Sequence, residues 1–132
     1  MGNVLNFIFR VDGNAEIGMG HIIRSIALAH TLKNRGHQIL FVSKESTGVE
    51  KIKDAGFECI KIKNKEEFIQ LLQSRITDVI VIDLRYPSKE YLEKIKKLSD
   101  SLFVLIDVND SLKYLGFSDL RRSRIRWLSL LQ

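Results

Sequence analysis

The chain is 132 residues long, 45% hydrophobic and 28% charged, with a formal net charge of +5. This composition excludes a disordered tail or a low-complexity chain, and the length fits one domain able to bury a real core. The charge does not mark a nucleic-acid-binding domain: residues 1–112 hold 16 basic and 15 acidic side chains, and the excess sits in Lys113, Arg121, Arg122, Arg124 and Arg126, opposed by Asp119 alone.

Strand-like and helix-like runs alternate from the start. Val4 to Arg10 is a β-rich run, followed by a loop carrying Gly13, Gly18 and Gly20. From His21 the residues Ile22, Ile23, Ile26, Ala27, Ala29 and Leu32 recur at helical spacing until Gly36, which reads as a C-terminal stop. Gln38 to Ser43 reads as a second strand, Val49 to Gly56 as a short helix, and Phe57 to Ile62 as a third strand with Phe57, Cys59 and Ile62 as candidates for burial. Lys65 to Arg75 places Phe68, Ile69, Leu71 and Leu72 on one helical face. Asp78 to Asp83 has four β-branched residues between acids, the mark of a strand buried on both sides. Ser88 is a candidate N-cap for a helix from Lys89 to Leu98, and Leu102 to Asp107 repeats the buried-strand pattern.

Strands alternating with short helices predict right-handed βαβ units, hence an α/β Rossmann-like domain over 1–117 with about five parallel strands. Residues 118–132 form a basic tail with Leu120, Ile125, Leu128 and Leu131 at spacings that suit an amphipathic helix. If that tail faces a missing domain, its apolar residues predict self-association. The single cysteine, Cys59, excludes an internal disulfide. No apolar run approaches the ~20 residues of a membrane helix, so the expectation is a cytoplasmic protein without a membrane partner.

Ligands of open parallel sheets bind at the carboxyl ends of the strands. Arg10 and Asp12 follow the first strand, Asp83, Arg85 and Tyr86 the fourth, and Asp107, Asn109 and Asp110 the fifth. The stretch from Gly13 to His21 joins the first strand to the first helix. It is neither a dinucleotide fingerprint, since Ile23 occupies the third glycine position, nor a P-loop, since no Gly-Lys-Ser/Thr ends it. Gly18 and Gly20 let backbone N–H groups come close to a ligand, and the helix N-terminus behind them favours an anion. The alternative for the glycines is an ordinary strand-to-helix turn, and for His21 a local cap. No spacing of His21, His30, His37 and Cys59 matches a zinc site, and no cofactor is expected.

The run Phe9-Arg10-Val11-Asp12-Gly13, then Ile17-Gly18-Met19-Gly20-His21-Ile22-Ile23-Arg24, with Leu28-Ala29 and Arg35-Gly36-His37, resembles the UDP-sugar hydrolase of pseudaminic acid biosynthesis and its relatives, the spore-coat polysaccharide biosynthesis proteins. The likeness runs from about Phe7 to Ser43, and more weakly through Asp83, Tyr91 and Asp107. It implies the N-terminal half of a GT-B, glycosyltransferase-like enzyme, with the active site between two Rossmann-like domains and most of the nucleotide held by the second. The reaction it implies replaces UDP on an anomeric carbon with water, and a related sugar transferase is expected on the same footing. His21 would be the acid–base residue, with Arg10, Asp12, Gly18, Gly20, Arg24, Asp83 and Tyr86 at the substrate. Two positions depart from the pattern: Arg85 stands where relatives place an aromatic, and Val108 where they place an acid. The expected partners are a UDP-sugar or similar phosphate-bearing small molecule, and a second Rossmann-like domain or another copy through the tail. The chain alone is expected to be inactive. The alternative reading is a module that binds a phosphate-bearing ligand or a partner chain and does no chemistry.

Overall fold

The computed structural model describes residues 4–14, 18–84 and 87–102 in full, and the backbone of 103–106 and 125–129. In chain order the elements are β1 (Asn6–Val11), α1 (Gly20–Asn34), β2 (Gln38–Ser43), α2 (Ser46–Asp54), β3 (Glu58–Lys61), α3 (Lys65–Gln73), β4 (Val79–Asp83), α4 (Lys89–Lys96), β5 (Ser101–Ile106) and β6 (Ile125–Ser129). All neighbouring strands pair in parallel, in the order β3-β2-β1-β4-β5-β6. The predicted α/β architecture is therefore present.

The sheet divides the interior into two layers, and strand alternation decides which residues enter each. Phe7, Phe9 and Val11 of β1 join Phe41, Val79 and Val81 against Ile22, Ile26 and Ala29 of α1 and Ile52 of α2. Ile8 of β1 joins Leu40, Ile80 and Ile82 against Phe68 and Leu72 of α3 and Leu92 and Ile95 of α4. Because the chain reverses direction across the sheet between β3 and β4, right-handed crossovers put α1 and α2 on one face and α3 and α4 on the other. The reversal falls between β1 and β4, the position where open α/β sheets leave a crevice at their carboxyl edge.

The helix signals have local causes. Gly36 and Gly56 take φ of +92° and +93° just beyond α1 and α2, a backbone region that other residues enter at a cost. The Asn64 side chain accepts the Glu67 N–H at 2.9 Å and the Ser88 hydroxyl accepts the Tyr91 N–H at 3.1 Å, so α3 and α4 are capped. Ser88→Ala is expected to cost about 1 kcal/mol, measurable as a lower urea midpoint at unchanged slope.

The tail departs from expectation. Residues 125–129 form a sixth strand, not part of a helix, with Leu102 opposite Ile125 and Ile106 opposite Ser129. The apolar spacing suits a helix, but β5 would otherwise present an unpaired backbone edge, and a segment containing Ile125 and Trp127 pairs readily with it. Residues 118–124 and 130–132 lie outside the described residues. No helix among the described residues is long and apolar enough to cross a membrane.

Candidate functional site

The carboxyl edge of β1 and β4 holds a cluster centred on Asp83. Asp83 is the last residue of β4, opposite Val11 of β1, and it shares its face with Val79 and Val81. It therefore points toward α1, where His21, Arg24 and Ser25 recur at helical spacing. The carboxylate is fully buried and saturated with donors. Arg24 Nη2 reaches Oδ1 at 2.7 Å and Arg24 Nε reaches Oδ2 at 2.9 Å, while the Ser25 hydroxyl donates to Oδ2 at 2.9 Å. His21 Nδ1 lies 2.5 Å from Oδ1.

These contacts decide the imidazole tautomer. Burial raises the cost of a charge on Asp83, but the hydrogen bonds and charges of Arg24 and His21 outweigh it and hold the carboxyl below its ordinary value. With the carboxylate ionised, two lone pairs cannot face each other at 2.5 Å, so Nδ1 carries the proton and donates it. The 2.9 Å approach of Arg24 Nη2 to Nδ1 is then a consequence of sharing Oδ1, not a second hydrogen bond. In the neutral ring Nε2 is then the nitrogen without a proton and, on a ring 19% exposed, the one available as a base.

The glycine loop lies immediately before this helix. The Gly18 N–H donates to the Asn14 carbonyl at 2.8 Å, and Gly18 adopts φ of +83°, so a left-handed residue closes the turn. Gly20 has no neighbouring atom within 4 Å of where a Cβ would lie and no positive φ, so nothing within the described chain requires glycine there. Helix α1, like α2, has neither a capping side chain nor an acidic residue in its first turn, whereas α3 and α4 have both. Its positive end and the open backbone at Gly20 suit a ligand that is anionic and approaches closely.

The structure brings His21, Arg24, Asp83, Gly18 and Gly20 to one edge. It separates Arg10 from them. Arg10 alternates with Phe9 and Val11, so it enters the opposite layer, 2% exposed, with its guanidinium 6.0 Å above the Phe68 ring. Its Nη1 and Nη2 donate to Asp12 Oδ1 and Oδ2 at 2.6 and 3.0 Å. Tyr91 packs on the same side; burial pushes its phenol above the ordinary value, opposed by the charge of Arg10. Tyr86, Arg85, Asp107, Asn109 and Asp110 lie outside the described residues.

The other histidines serve packing. His37 Nδ1 accepts the Leu5 N–H at 3.1 Å at the amino end of the sheet, and His30 packs on Phe57. Two clefts of about 410 Å³ lie elsewhere, one at the amino ends of β1–β3 and one between α3 and α4, and neither is lined by a residue of the Asp83 cluster. No group of three or more metal-ligating side chains occurs among the described residues. Ser25 is the member of the Asp83 cluster that sequence reasoning missed. A polar residue four positions after His21, on the buried face of an apolar helix, was the available signal.

No protein-family model matches the chain. It is 28% identical over 102 residues to an uncharacterized protein of Methanocaldococcus jannaschii, covering 76% of this chain and 21% of that protein. It is 27% identical over 111 residues to the spore coat polysaccharide biosynthesis protein SpsG of Bacillus subtilis, covering 82% of this chain and 32% of that one. The chain thus spans about a fifth and a third of the lengths of these relatives. Among solved structures, a glycosyltransferase from Rickettsia africae ESF-5 superposes with a TM-score of 0.65 at 16% identity, over 96% of this chain and 37% of that one. At that identity the likeness carries the fold alone, an α/β Rossmann-like domain.

Proposed function

We propose that this chain supplies the acid–base half of a sugar-transferase-like site acting on a nucleotide sugar in polysaccharide or nonulosonic acid synthesis. The observation that carries the reading is the imidazole of His21, held by buried Asp83 beside an uncapped, glycine-lined helix N-terminus. The resemblance of the glycine–histidine run and the similarity to SpsG support a sugar substrate.

Within this reading the diphosphate lies against the Gly18–Gly20 backbone and the first turn of α1, with Arg24 at its side. His21 Nε2 accepts a proton from the attacking hydroxyl as its oxygen bonds to the anomeric carbon. The bond from that carbon to the diphosphate oxygen breaks, and its electron pair leaves with the nucleoside diphosphate. Such a leaving group is a stable anion and needs little proton donation, so one base suffices where ordinary glycosidases use two carboxylates. With water as acceptor the reaction is hydrolysis of a UDP-sugar; with a sugar hydroxyl it is transfer. A second Rossmann-like domain would hold the rest of the nucleotide, and the chain alone would be inactive.

The test is a titration of the full chain with UDP and with a UDP-sugar, followed on backbone amides by NMR. Shifts concentrated at Gly18, Gly20 and His21 are expected. Saturable binding that leaves those three amides unmoved would contradict the site.

A further inference from the structure

The carboxyl end of β1 is held by a clamp that the chemistry above does not use. Arg10 and Asp12 form a two-point ion pair, and Asp12 Oδ1 also accepts the Lys44 N–H at 2.8 Å, just beyond β2. The next residue, Gly13, is closed in from both sides. A Cβ there would collide with Ile22 of α1 and lie 3.2 Å from Met19 Sδ. Across the gap, a Cβ on Gly48 of α2 would lie 3.0 Å from the Gly13 carbonyl oxygen and 3.1 Å from Ile22 Cδ1. From Gly13 the chain passes to Asn14, whose carbonyl accepts from Gly18, and on into the first turn of α1 with His21.

We propose that the Arg10–Asp12 pair is a latch that positions the root of the glycine loop, and through it His21, without touching the ligand. The purpose assigned to the loop rests on the function proposed above; the latch itself does not. Both carboxylate oxygens of Asp12 are engaged within the chain, and its side chain is only 18% exposed. Arg10 is more deeply buried, on the far side of the sheet from His21. A buried ion pair is seldom more stable than apolar residues of the same volume, and its best-attested use is to select one conformation. Glycine loses more conformational freedom on ordering than any other residue, and a fixed anchor at the root of the loop offsets that cost.

The test uses the full chain without ligand. Arg10→Met/Asp12→Ala removes the pair without leaving a buried charge unpartnered. Hydrogen exchange at the Gly18 amide, which donates to Asn14, is expected to rise about tenfold or more relative to exchange at Ile80 and Leu92 in the core. Gly48→Ala leaves the pair intact but presses on the Gly13 carbonyl, and is expected to move the Gly18 and Gly20 amide signals; it decides the matter if the double variant does not fold. Unchanged loop exchange in a folded double variant, or Gly48→Ala shifts confined to α2, would overturn the latch. So would a variant whose free loop is unchanged and which loses only UDP affinity, since Asp12 or Arg10 would then be a ligand contact. A loosened loop in a protein that ignores UDP would support the latch and count against the proposed function instead.

Discussion

Replacing His21 by leucine is expected to lower turnover of a nucleotide sugar at least about a hundredfold, with affinity for UDP nearly unchanged. The assay joins this chain to a second Rossmann-like domain, in accord with the proposed two-domain site. The separation of kcat from binding follows from the proposed site. There the imidazole touches the reacting hydroxyl, whereas the phosphate cradle is backbone from Gly18 to the first turn of α1, which the substitution leaves in place. Asp83 keeps its bonds from Arg24 and Ser25 in that variant, so the helix stays docked. Wild-type turnover in His21→Leu would remove His21 from the chemistry.

The second large effect is expected at Asp83, and it appears in stability as well as activity. The carboxylate accepts from Arg24 and Ser25 and faces His21, so Asp83→Asn replaces an acceptor by an amide whose nitrogen meets donors. Breaking a buried charge network from one side costs about 3–5 kcal/mol, and Arg24, 29% exposed, can regain water and keep the loss toward the lower figure. Asp83 also contributes to acid denaturation. Its folded-state value lies below the unfolded one, so its contribution is present above the unfolded carboxyl range and is lost as pH falls through the lower folded value. Urea midpoints from pH 6 down to pH 2.5 should therefore fall less steeply in Asp83→Asn than in the wild type. Parallel profiles would show that the carboxylate carries no such stabilisation.

Much of the fold could be read from local pattern. Ile80 and Ile82 flank Val81 in a run that only a strand covered on both faces tolerates, and Gly36 and Gly56 stop their helices where a positive φ is needed. The glycine loop and His21 were legible because they sit between a strand and a helix. What local pattern could not supply was direction across the sheet. Arg10 and Asp83 both lie at the carboxyl ends of their strands, yet their positions in the alternation send one toward the layer of Phe68 and the other toward α1. Sequence reading grouped them at one substrate because it used closeness to the strand ends and not that parity. The meeting of Asp83 with His21 depends further on β4 pairing beside β1, a long-range choice that no window of residues contains. The tail was misread for a related reason. Its apolar spacing fits a helix, and only the open edge of β5 makes a strand the better partner at Ile125–Ser129.

The most direct test of the account is the protonation pattern of the His21 ring, read from its nitrogen chemical shifts by long-range NMR at pH 8, free and with a UDP-sugar added. The account predicts Nδ1 protonated and held by Asp83, Nε2 bare, and a response to the ligand centred on Nε2, with the Nδ1 proton displaced in Asp83→Asn. A proton on Nε2, or a ring that does not respond to bound ligand, would contradict it.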